Sequence, residues 1–294
     1  MIAAIPFPDI GPDIFSVTIF GMTLTLRWYA MSYIVGLLIA WRVMVHSVRR
    51  PNLWPMNTPP MTAEQTEELL TGVIIGVVVG GRLGNVLFYE FEYYVNNPIE
   101  IFKIWKGGMA FHGGFLGVVI AGVLFCRKHN IPMLSTADMM ALSSPFGLFL
   151  GRCANFINGE LWGRPTDAPW GVIFPGDYAQ HCPGFPQPCV RHPSQLYEAV
   201  LEGLLLGAIL IVLAYGFKWM RRPGALTGVF IGGYGVARFV VEFFREPDPV
   251  YFNSDTPIVY ILEIGDIGIS MGQFLSLPMV ALGLFLFLWS RRRT

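Results

Sequence analysis

The sequence predicts an all-α, polytopic membrane protein with seven transmembrane helices and extracytoplasmic loops. Of its 294 residues, 53% are hydrophobic and only 14% are charged, whereas a soluble domain carries about 25% charged residues. Stretches of roughly 20 mostly apolar residues, the length that crosses a bilayer core, recur along the chain. We find no internal repeat and no separable soluble domain, so residues 1–294 are predicted to form a single integral membrane domain.

Seven apolar stretches are the predicted membrane spans. They cover residues 28–48, 69–89, 111–125, 139–153, 196–217, 226–244 and 273–289. Residues 1–25 are rich in Pro and Gly and only moderately apolar, so we expect them to lie along the membrane interface. Thr62 and Gln65 resemble a capping box that begins the second helix. The glycines of the third span suit close helix packing, and they are Gly113, Gly114, Gly117 and Gly122.

Basic clusters follow the odd-numbered spans and set the predicted orientation. They lie at residues 49–50, 127–128, 218–222 and 291–293. Because cytoplasmic loops carry an excess of Lys and Arg, we predict a cytoplasmic C-terminus, an N-terminus outside, and extracytoplasmic loops at 159–191 and 247–269. Cys182 and Cys189 lie seven residues apart in the first loop. An oxidising compartment would permit a local disulfide there, and the sequence leaves that pairing open.

Residues 151–164 place polar and ionisable side chains at the outer end of the fourth span. They include Arg152, Asn155 and Glu160. Ionisable groups at membrane depth are costly, so they are usually paired or line a wet cavity, and then they mark function. The alternative is that Arg152 and Glu160 only pair and hold two helices together. The chemistry favours a functional site.

A second set of polar residues follows one face of the sixth span. Tyr234, Arg238 and Glu242 are spaced i, i+4, i+8 and therefore share a helical face. Arg238 and Glu242 also fit a simple i,i+4 ion pair, although this order of charges is the electrostatically weaker one. Glu198 and Glu202 share a face of the fifth span, and they are either partners for these arginines or structural.

Histidine and tyrosine side chains also lie at the outer ends of the predicted spans. Tyr29 begins the first span, His112 begins the third within a Gly-flanked turn, and His192 precedes Pro193 at the start of the fifth. Pro193 sits where a helix favours its first residue, so helix entry explains His192 nearly as well as function does. The inner ends show only basic clusters, and this asymmetry predicts one site open to the outer leaflet.

The clustered arginines suit an anionic ligand, because a guanidinium pairs phosphate bidentately and stays charged. Arg82, with Asn85, is a further candidate to support Glu242 or Glu160. No His, Cys, Asp or Glu grouping has the spacing of a metal site, so we expect no metal or cofactor. Equal totals of 20 Lys+Arg and 20 Asp+Glu argue against nucleic-acid binding. The residues alone predict a phospholipid-handling enzyme or a lipid or anion transporter.

Four sequence blocks resemble the signature of the bacterial prolipoprotein diacylglyceryl transferases. They are residues 107–114 (GGMAFHGG), 151–164 (GRCANFINGELWGR), 191–198 (RHPSQLYE) and 234–245 (YGVARFVVEFFR). The blocks follow the family's order along the chain. The resemblance implies an enzyme of the bacterial cytoplasmic (inner) membrane that transfers the diacylglyceryl group of phosphatidylglycerol to the lipobox cysteine of a prolipoprotein signal peptide. A thioether forms and glycerol phosphate leaves.

The resemblance also implies which residues bind the lipid. The expected binding residues are Tyr29, Arg152, Asn155, Gly163, His192, Tyr234 and Arg238. Among them, Arg152 and Arg238 clamp the headgroup phosphate. Asn155 and Tyr29 position the headgroup by hydrogen bonds, and the others line the site.

The expected catalytic residues are His112, Arg152, Glu160, Arg238 and Glu242. A thiol is a poor nucleophile until it is deprotonated, and a neutral imidazole can accept its proton. His112 is therefore the first candidate base, while Glu160 and Glu242 orient the arginines or assist proton removal. The sequence leaves the identity of the base open.

The main alternative function is a phospholipid or anion transporter with an outer-leaflet headgroup site. Transporter sites tend to lie near mid-membrane, often at the interface of related halves, whereas the polar residues here lie near one surface. A non-catalytic scaffold would need no buried arginine near His and Glu. An intramembrane protease would need paired aspartates, a Ser/His pair or a zinc motif within the spans. The sequence therefore favours the transferase.

Overall fold

Helices make up most of the protein. The structure, a computed structural model, describes residues 4–19, 22–246, 260–264 and 267–292. Its longer helices are α1 (Trp28–Val48), α2 (Ala63–Phe88), α3 (Phe111–His129), α4 (Met133–Ile157), α5 (Ser194–Gly216), α6 (Ala225–Val241) and α7 (Met271–Arg291).

Five of these helices, α1, α2, α3, α5 and α7, are long and apolar enough to cross a membrane. Each of them coincides with a predicted span. In lipid, a run of about 20 apolar residues can form all its backbone hydrogen bonds within the segment only as a helix. The other two predicted spans, 139–153 and 226–244, fall largely on α4, which contains Pro145, and on the shorter apolar helix α6. A mostly helical, multi-pass protein is thereby confirmed.

Helix α5 is continuous but not uniformly α-helical. Its segments Ala199–Leu205 and Val212–Gly216 have π-helical hydrogen bonding. It begins at Ser194, with Pro193 one residue before it as the N-cap. The sequence prediction therefore placed Pro193 one position too far into the helix.

Short helical pieces fill the connections. They are Phe91–Asn96 and Asp177–Gln180, with 3-10 turns at Pro51–Leu53, Pro55–Asn57, Pro98–Phe102, Ile104–Lys106 and Trp219–Arg221.

Short strands accompany the helices, which the all-α prediction omitted. Parallel β1 (Ile5–Pro6) pairs with β4 (Val172–Ile173). Antiparallel β2 (Asp13–Ile19) pairs with β3 (Met22–Arg27), and β5 (Tyr260–Ile264) pairs with β6 (Ile267–Ser270). In the β2–β3 pair, cross-strand hydroxyls meet between Ser16 and Thr25 at 3.0 Å. Polar and apolar residues alternate at 16–19 and 22–26, which is the sequence signal of a strand.

The predicted loop 247–269 contains short strands. Strand β5 and the first residues of β6 lie within it, whereas positions 247–259 and 265–266 lie outside the described residues. Ser270 and Gln273 form a capping box that begins α7. The capping box predicted at Thr62 and Gln65 is confirmed at the start of α2, with the Gln65 amide 3.2 Å from the Thr62 hydroxyl.

The chain divides into two compact units, one formed by residues 1–40 and 141–294 and the other by residues 41–140. In the second unit, α2 and α3 pack backbone against backbone. A Cβ atom on Gly80 would lie 2.4 Å from the Gly113 carbonyl, and one on Gly117 would lie 1.9 Å from the Gly76 carbonyl. The close packing predicted for Gly113 and Gly117 is confirmed, because any side chain would separate the helices.

In the first unit, α4, α5 and α6 are also in close contact. A Cβ on Gly203 of α5 would lie 2.7 Å from the Phe149 Cα of α4, and one on Gly233 of α6 would lie 2.7 Å from Leu206 of α5. Helix α6 packs on α7 through Gly228 and Gly283. These glycines allow close packing of α4, α5 and α6, the helices that carry Arg152, Glu198 and Arg238.

Residues 159–193, which include the predicted Pro- and Gly-rich loop 159–191, form a folded cap. Val172, Phe174 and Ala179 form its apolar core, against which Phe7 and Phe156 pack. Cys182 and Cys189 are joined in a disulfide, with their Cα atoms 6.0 Å apart. This resolves the pairing that the sequence left open.

Candidate active site

Two arginines and one glutamate connect three helices in the first unit. Arg152 of α4 contacts Glu198 of α5 with Nε 3.0 Å from Oε2. Arg238 of α6 donates from Nη1 to the other oxygen of Glu198. The Glu198 side chain is 1% exposed, so its charge is compensated by these guanidiniums and not by water.

Glu202 lies one turn after Glu198, within the π-helical segment of α5. Its two oxygens lie 3.7 Å from Arg152 Nε and from Arg238 Nη1. The Glu202 side chain is fully buried, and neither oxygen has a hydrogen-bond partner among the described residues. The sequence left two interpretations of Glu198 and Glu202 open, as partners of the arginines or as structural residues. The ion pairs favour the first interpretation.

Glu242 extends the cluster at the C-terminal end of α6. Its carboxylate lies 3.6 Å from Arg238 and 4.0 Å from Arg245, and it accepts a hydrogen bond from the Ser270 hydroxyl at 3.2 Å. Gly272 approaches so closely that a Cβ there would be 2.4 Å from the carboxyl carbon. The Arg238–Glu242 ion pair that the spacing allowed is therefore present.

Tyr234 lies one turn before Arg238 on the same face of α6. Its hydroxyl interacts electrostatically with Glu202, Arg238 and Arg152. The shared face predicted for Tyr234, Arg238 and Glu242 is confirmed, and it faces the other charged helices.

Asn155 connects Arg152 to Glu160 at the end of α4. Arg152 Nη1 lies 3.5 Å from Asn155 Oδ1, and Asn155 donates to Glu160 at 2.8 Å. Asn158 donates to the same Glu160 oxygen at 3.0 Å. Glu160 is therefore connected to Arg152 through the side-chain amide of Asn155. The alternative, a direct ion pair between Arg152 and Glu160 that holds two helices together, is not the contact observed.

Tyr29 stands at the first turn of α1. Its hydroxyl lies 3.3 Å from that of Tyr33, and it is close enough to Glu160 and Arg152 to interact with both electrostatically. Tyr29, at the predicted outer end of the first span, therefore interacts with two polar residues of the block 151–164, Arg152 and Glu160.

The folded cap adjoins this cluster through its backbone. Arg164 donates from Nε to the Arg245 carbonyl at 2.9 Å and from Nη2 to the Glu242 carbonyl at 3.3 Å. Gly163 donates its amide to the His192 carbonyl at 2.8 Å. A Cβ on Gly163 would lie 2.4 Å from the Phe244 carbonyl, so this position needs glycine for space.

His192 is held by a chain of hydrogen bonds in the same region. Trp170 donates to the Tyr197 hydroxyl at 2.8 Å, and that hydroxyl lies 3.0 Å from His192 Nδ1. The indole only donates, so the Tyr197 hydroxyl accepts from Trp170 and shares a second hydrogen bond with Nδ1. Burial lowers the pKa of His192 below its usual value, partly offset by Asp167.

His112 belongs to the other unit, where it is the second residue of α3. It is exposed, and its ring meets the edge of Phe111 with centroids 5.7 Å apart. In the same unit, Arg82 donates to the carbonyls of Ile101 at 2.8 Å and Gly107 at 2.6 Å. Its guanidinium thereby holds the turn that leads to His112.

Sequence reasoning missed the charged groups of the cap. Arg191 is 3% exposed, donates to the Ala179 carbonyl at 2.6 Å and lies 5.6 Å from the Trp162 ring centroid. Its ion pair with Glu246 spans 3.5 Å. A charged residue in a loop is usually solvated, and only its place in the block 191–198 signalled another role.

The arrangement can bind an anion. The side chains of Arg152 and Arg238 remain 21% and 16% exposed, while Glu198 and Glu202 are 1% and 0% exposed. The guanidiniums therefore lie on the accessible side and the carboxylates behind them. Partly desolvated arginines with fixed geometry stabilise phosphate charge more than solvated ones.

Comparison with known proteins identifies close relatives. The profile of one family, described as Prolipoprotein diacylglyceryl transferase, matches residues 16–289. A phosphatidylglycerol–prolipoprotein diacylglyceryl transferase of Ruegeria pomeroyi is 57% identical over 291 residues, covering 99% of each chain. A protein of the same name from Roseobacter denitrificans is 56% identical over 97% of each chain. One from Rhizobium leguminosarum is 44% identical over 293 residues, which covers 100% of this chain and 96% of the relative.

Proposed function

This chain belongs to the prolipoprotein diacylglyceryl transferase family, and we propose that its arginine–glutamate cluster is the site at which it uses phosphatidylglycerol. The protein is a membrane enzyme that transfers the diacylglyceryl group of phosphatidylglycerol to prolipoproteins. Family membership favours this function over the transporter that the sequence offered as its alternative.

The acceptor in this proposal is the thiol of a lipobox cysteine in the prolipoprotein signal peptide. Its sulfur forms a bond to the glycerol carbon of the diacylglyceryl group while that carbon's bond to the phosphate oxygen breaks. Glycerol phosphate leaves and a thioether remains. The leaving phosphate ester needs positive charge beside it as the bond breaks.

The exposure of the two arginines carries the assignment. Arg152 and Arg238 are partly exposed, whereas Glu198, which contacts both of them, is buried. A lipid phosphate at that position would meet two guanidiniums held by Glu198, with Tyr234 beside them. This geometry supports a phosphate clamp formed before the lipid arrives, which lowers the cost of binding.

Neighbouring residues supply hydrogen bonds for the rest of the headgroup. Asn155 is already joined to Arg152 and Glu160, and Tyr29 lies within electrostatic range of both. In the proposal these two position the headgroup and Glu160 orients Asn155. Glu242 orients Arg238, while Gly163 and His192 form the wall of the site on the side of the folded cap.

His112 is the proposed base. Its imidazole is exposed on the first turn of α3. A neutral imidazole accepts a proton near physiological pH. His192 is the weaker candidate, because its Nδ1 is engaged by the Tyr197 hydroxyl.

The proposal includes the arrangement in the membrane. We infer a single domain with seven spans in the bacterial inner membrane, with the N-terminus outside, the C-terminus in the cytoplasm and the site facing the outer leaflet. The disulfide between Cys182 and Cys189 supports an extracytoplasmic position for the cap, because disulfides persist in oxidising compartments. The four basic clusters support the same orientation.

The test is transfer by the purified protein in detergent, with phosphatidylglycerol and a lipobox peptide analysed by mass spectrometry. We expect the peptide to gain the mass of a diacylglyceryl group, and a peptide with serine in place of cysteine to gain nothing. An unmodified cysteine peptide, with folded protein and bound lipid, would contradict the reaction. Movement of labelled lipid across liposome membranes would then test the transporter.

A further inference from the structure

Two carboxylates of the site, Glu198 and Glu202, face the same two arginine nitrogens. Its ion pairs join three arginines and three glutamates, which are Arg152, Arg238, Arg245, Glu198, Glu202 and Glu242. The groups that face Glu202 come from three helices and the segment after α6, and they are Arg152, Glu198, Tyr234, Arg238 and Arg245. If all six charged groups were ionised, the cluster would have no net charge.

In each of the two central arginines, the nitrogen nearest to Glu202 is the same one that contacts Glu198. Arg152 Nε carries one hydrogen, and it lies 3.0 Å from Glu198 but 3.7 Å from Glu202. Arg238 Nη1 contacts Glu198 and also lies 3.7 Å from Glu202. The same two nitrogens therefore face both carboxyls, and Glu198 is the closer in each case.

Burial makes this sharing costly for Glu202. Its carboxyl has no exposed surface, and both oxygens lack a hydrogen-bond partner among the described residues. A buried carboxylate without donors is strongly disfavoured. When two carboxylates share one site, the poorly paired one takes up a proton.

We propose that Glu202 is a neutral, protonated carboxyl in the resting enzyme, so that the cluster presents a single positive charge to the phosphate of the lipid headgroup. Three arginines and two ionised glutamates give this net charge of plus one. A phosphodiester carries one negative charge, so the complex is neutral, as a low-dielectric site requires. The inference rests on the proposed function and gives Glu202 a positioning role through the arginines.

An infrared spectrum tests the protonation state directly. Purified protein in detergent at neutral pH should show the carbonyl absorption of a carboxylic acid, and Glu202→Gln should lose it. The exposed Glu92→Gln should leave that absorption intact. An unchanged absorption in Glu202→Gln would overturn the inference.

Binding of phosphatidylglycerol as a function of pH tests the consequence. As pH rises and Glu202 loses its proton, the cluster becomes neutral, and the affinity of the wild-type enzyme should fall by about tenfold. Glu202→Gln cannot ionise there, so its affinity should lose this alkaline decline. An equal decline in both proteins would overturn the proposed role of Glu202.

The two proposals fail in distinguishable ways. If Arg152→Ala and Arg238→Ala bind phosphatidylglycerol as tightly as the wild type, the headgroup site is wrong and the charge-matching role falls with it. If those variants lose binding while the infrared absorption survives in Glu202→Gln, the headgroup site stands and only the protonated Glu202 is wrong.

Discussion

The carboxylate of Glu198 pairs with Arg152 at 3.0 Å through one oxygen and contacts Arg238 through the other. One buried acidic residue therefore sets the separation of two guanidiniums that belong to different helices. The exposed sides of these guanidiniums form the proposed phosphate site, so its geometry depends on a residue that need not touch the lipid.

Glu198→Gln should destabilise the protein, because it leaves Arg152 and Arg238 without their nearest counter-charge. Removing one partner of a buried ion pair costs about 3 to 5 kcal/mol. We expect the lower end, because Glu202 lies beside both arginines and can replace the lost charge by releasing its proton. Denaturation in detergent would measure the change. The exposed Glu92→Gln should stay within about 0.5 kcal/mol of the wild type. Equal stability of the two variants would contradict the bridging role.

Arg152→Lys and Arg238→Lys should each reduce transfer by about a hundredfold or more, because an ammonium cannot hold a phosphate and Glu198 at once in the planar geometry of a guanidinium. The corresponding alanine variants should nearly abolish transfer. Rates come from the peptide assay in membranes with matched protein levels. The matched control is Arg127→Lys on the exposed end of α3, which should transfer normally. Normal turnover in any Arg152 or Arg238 variant would exclude the clamp.

Gly163→Ala should lower the yield and stability of folded protein, because its Cβ would lie 2.4 Å from the Phe244 carbonyl and 2.7 Å from the His192 carbonyl. Gly151→Ala is the control. Nothing lies within 4 Å of its new Cβ, and alanine stabilises a helix by roughly 0.5 to 1 kcal/mol relative to glycine. Thermal denaturation of both variants decides the matter. A Gly163→Ala protein as stable as wild type would show that the cap can move away from α6.

The stability of the protein should decrease as the pH falls below about 6.5, the ordinary pKa of histidine. Burial lowers the pKa of His192 in the folded protein, so the unfolded chain binds the proton first and stability rises with pH across that window. His192→Gln should flatten the slope of melting temperature against pH. The control His181→Gln, at an exposed position of the same cap, should keep the slope. An unaltered slope in His192→Gln would argue against this buried, neutral imidazole.

Protein extracted from membranes without reductant should have two fewer reactive thiols than reduced protein, because Cys182 and Cys189 form a disulfide while Cys126 and Cys153 are free. Alkylation of denatured samples followed by mass spectrometry counts the thiols. Four alkylated cysteines before reduction would contradict the pairing and remove its support for an extracytoplasmic cap.

Hydropathy predicted the helices well because each apolar run satisfies its backbone internally. It also located Arg152 and Arg238, since charges within apolar runs stand out. The strands β2 and β3 were missed because Pro and Gly in residues 1–25 hid a short alternation of polar and apolar residues.

The partners of the arginines could not be chosen from spacing alone. Glu198, Glu202 and Glu242 all lie at helical spacings that permit pairing, and only the close approach at Gly203 and Gly233 brings Glu198 to both arginines. Arg191 was missed for a related reason. Its position in a loop sequence does not show that the folded cap buries its guanidinium.

The central claim is that Arg152 and Arg238 bind the lipid phosphate, and the most direct measurement is lipid discrimination by purified protein. Native mass spectrometry would compare retained phosphatidylglycerol with diacylglycerol of the same acyl chains, which lacks the phosphate. We expect the wild type to prefer phosphatidylglycerol and Arg238→Gln to lose that preference while still binding diacylglycerol. An Arg238→Gln protein that retains the full preference for phosphatidylglycerol would contradict the claim.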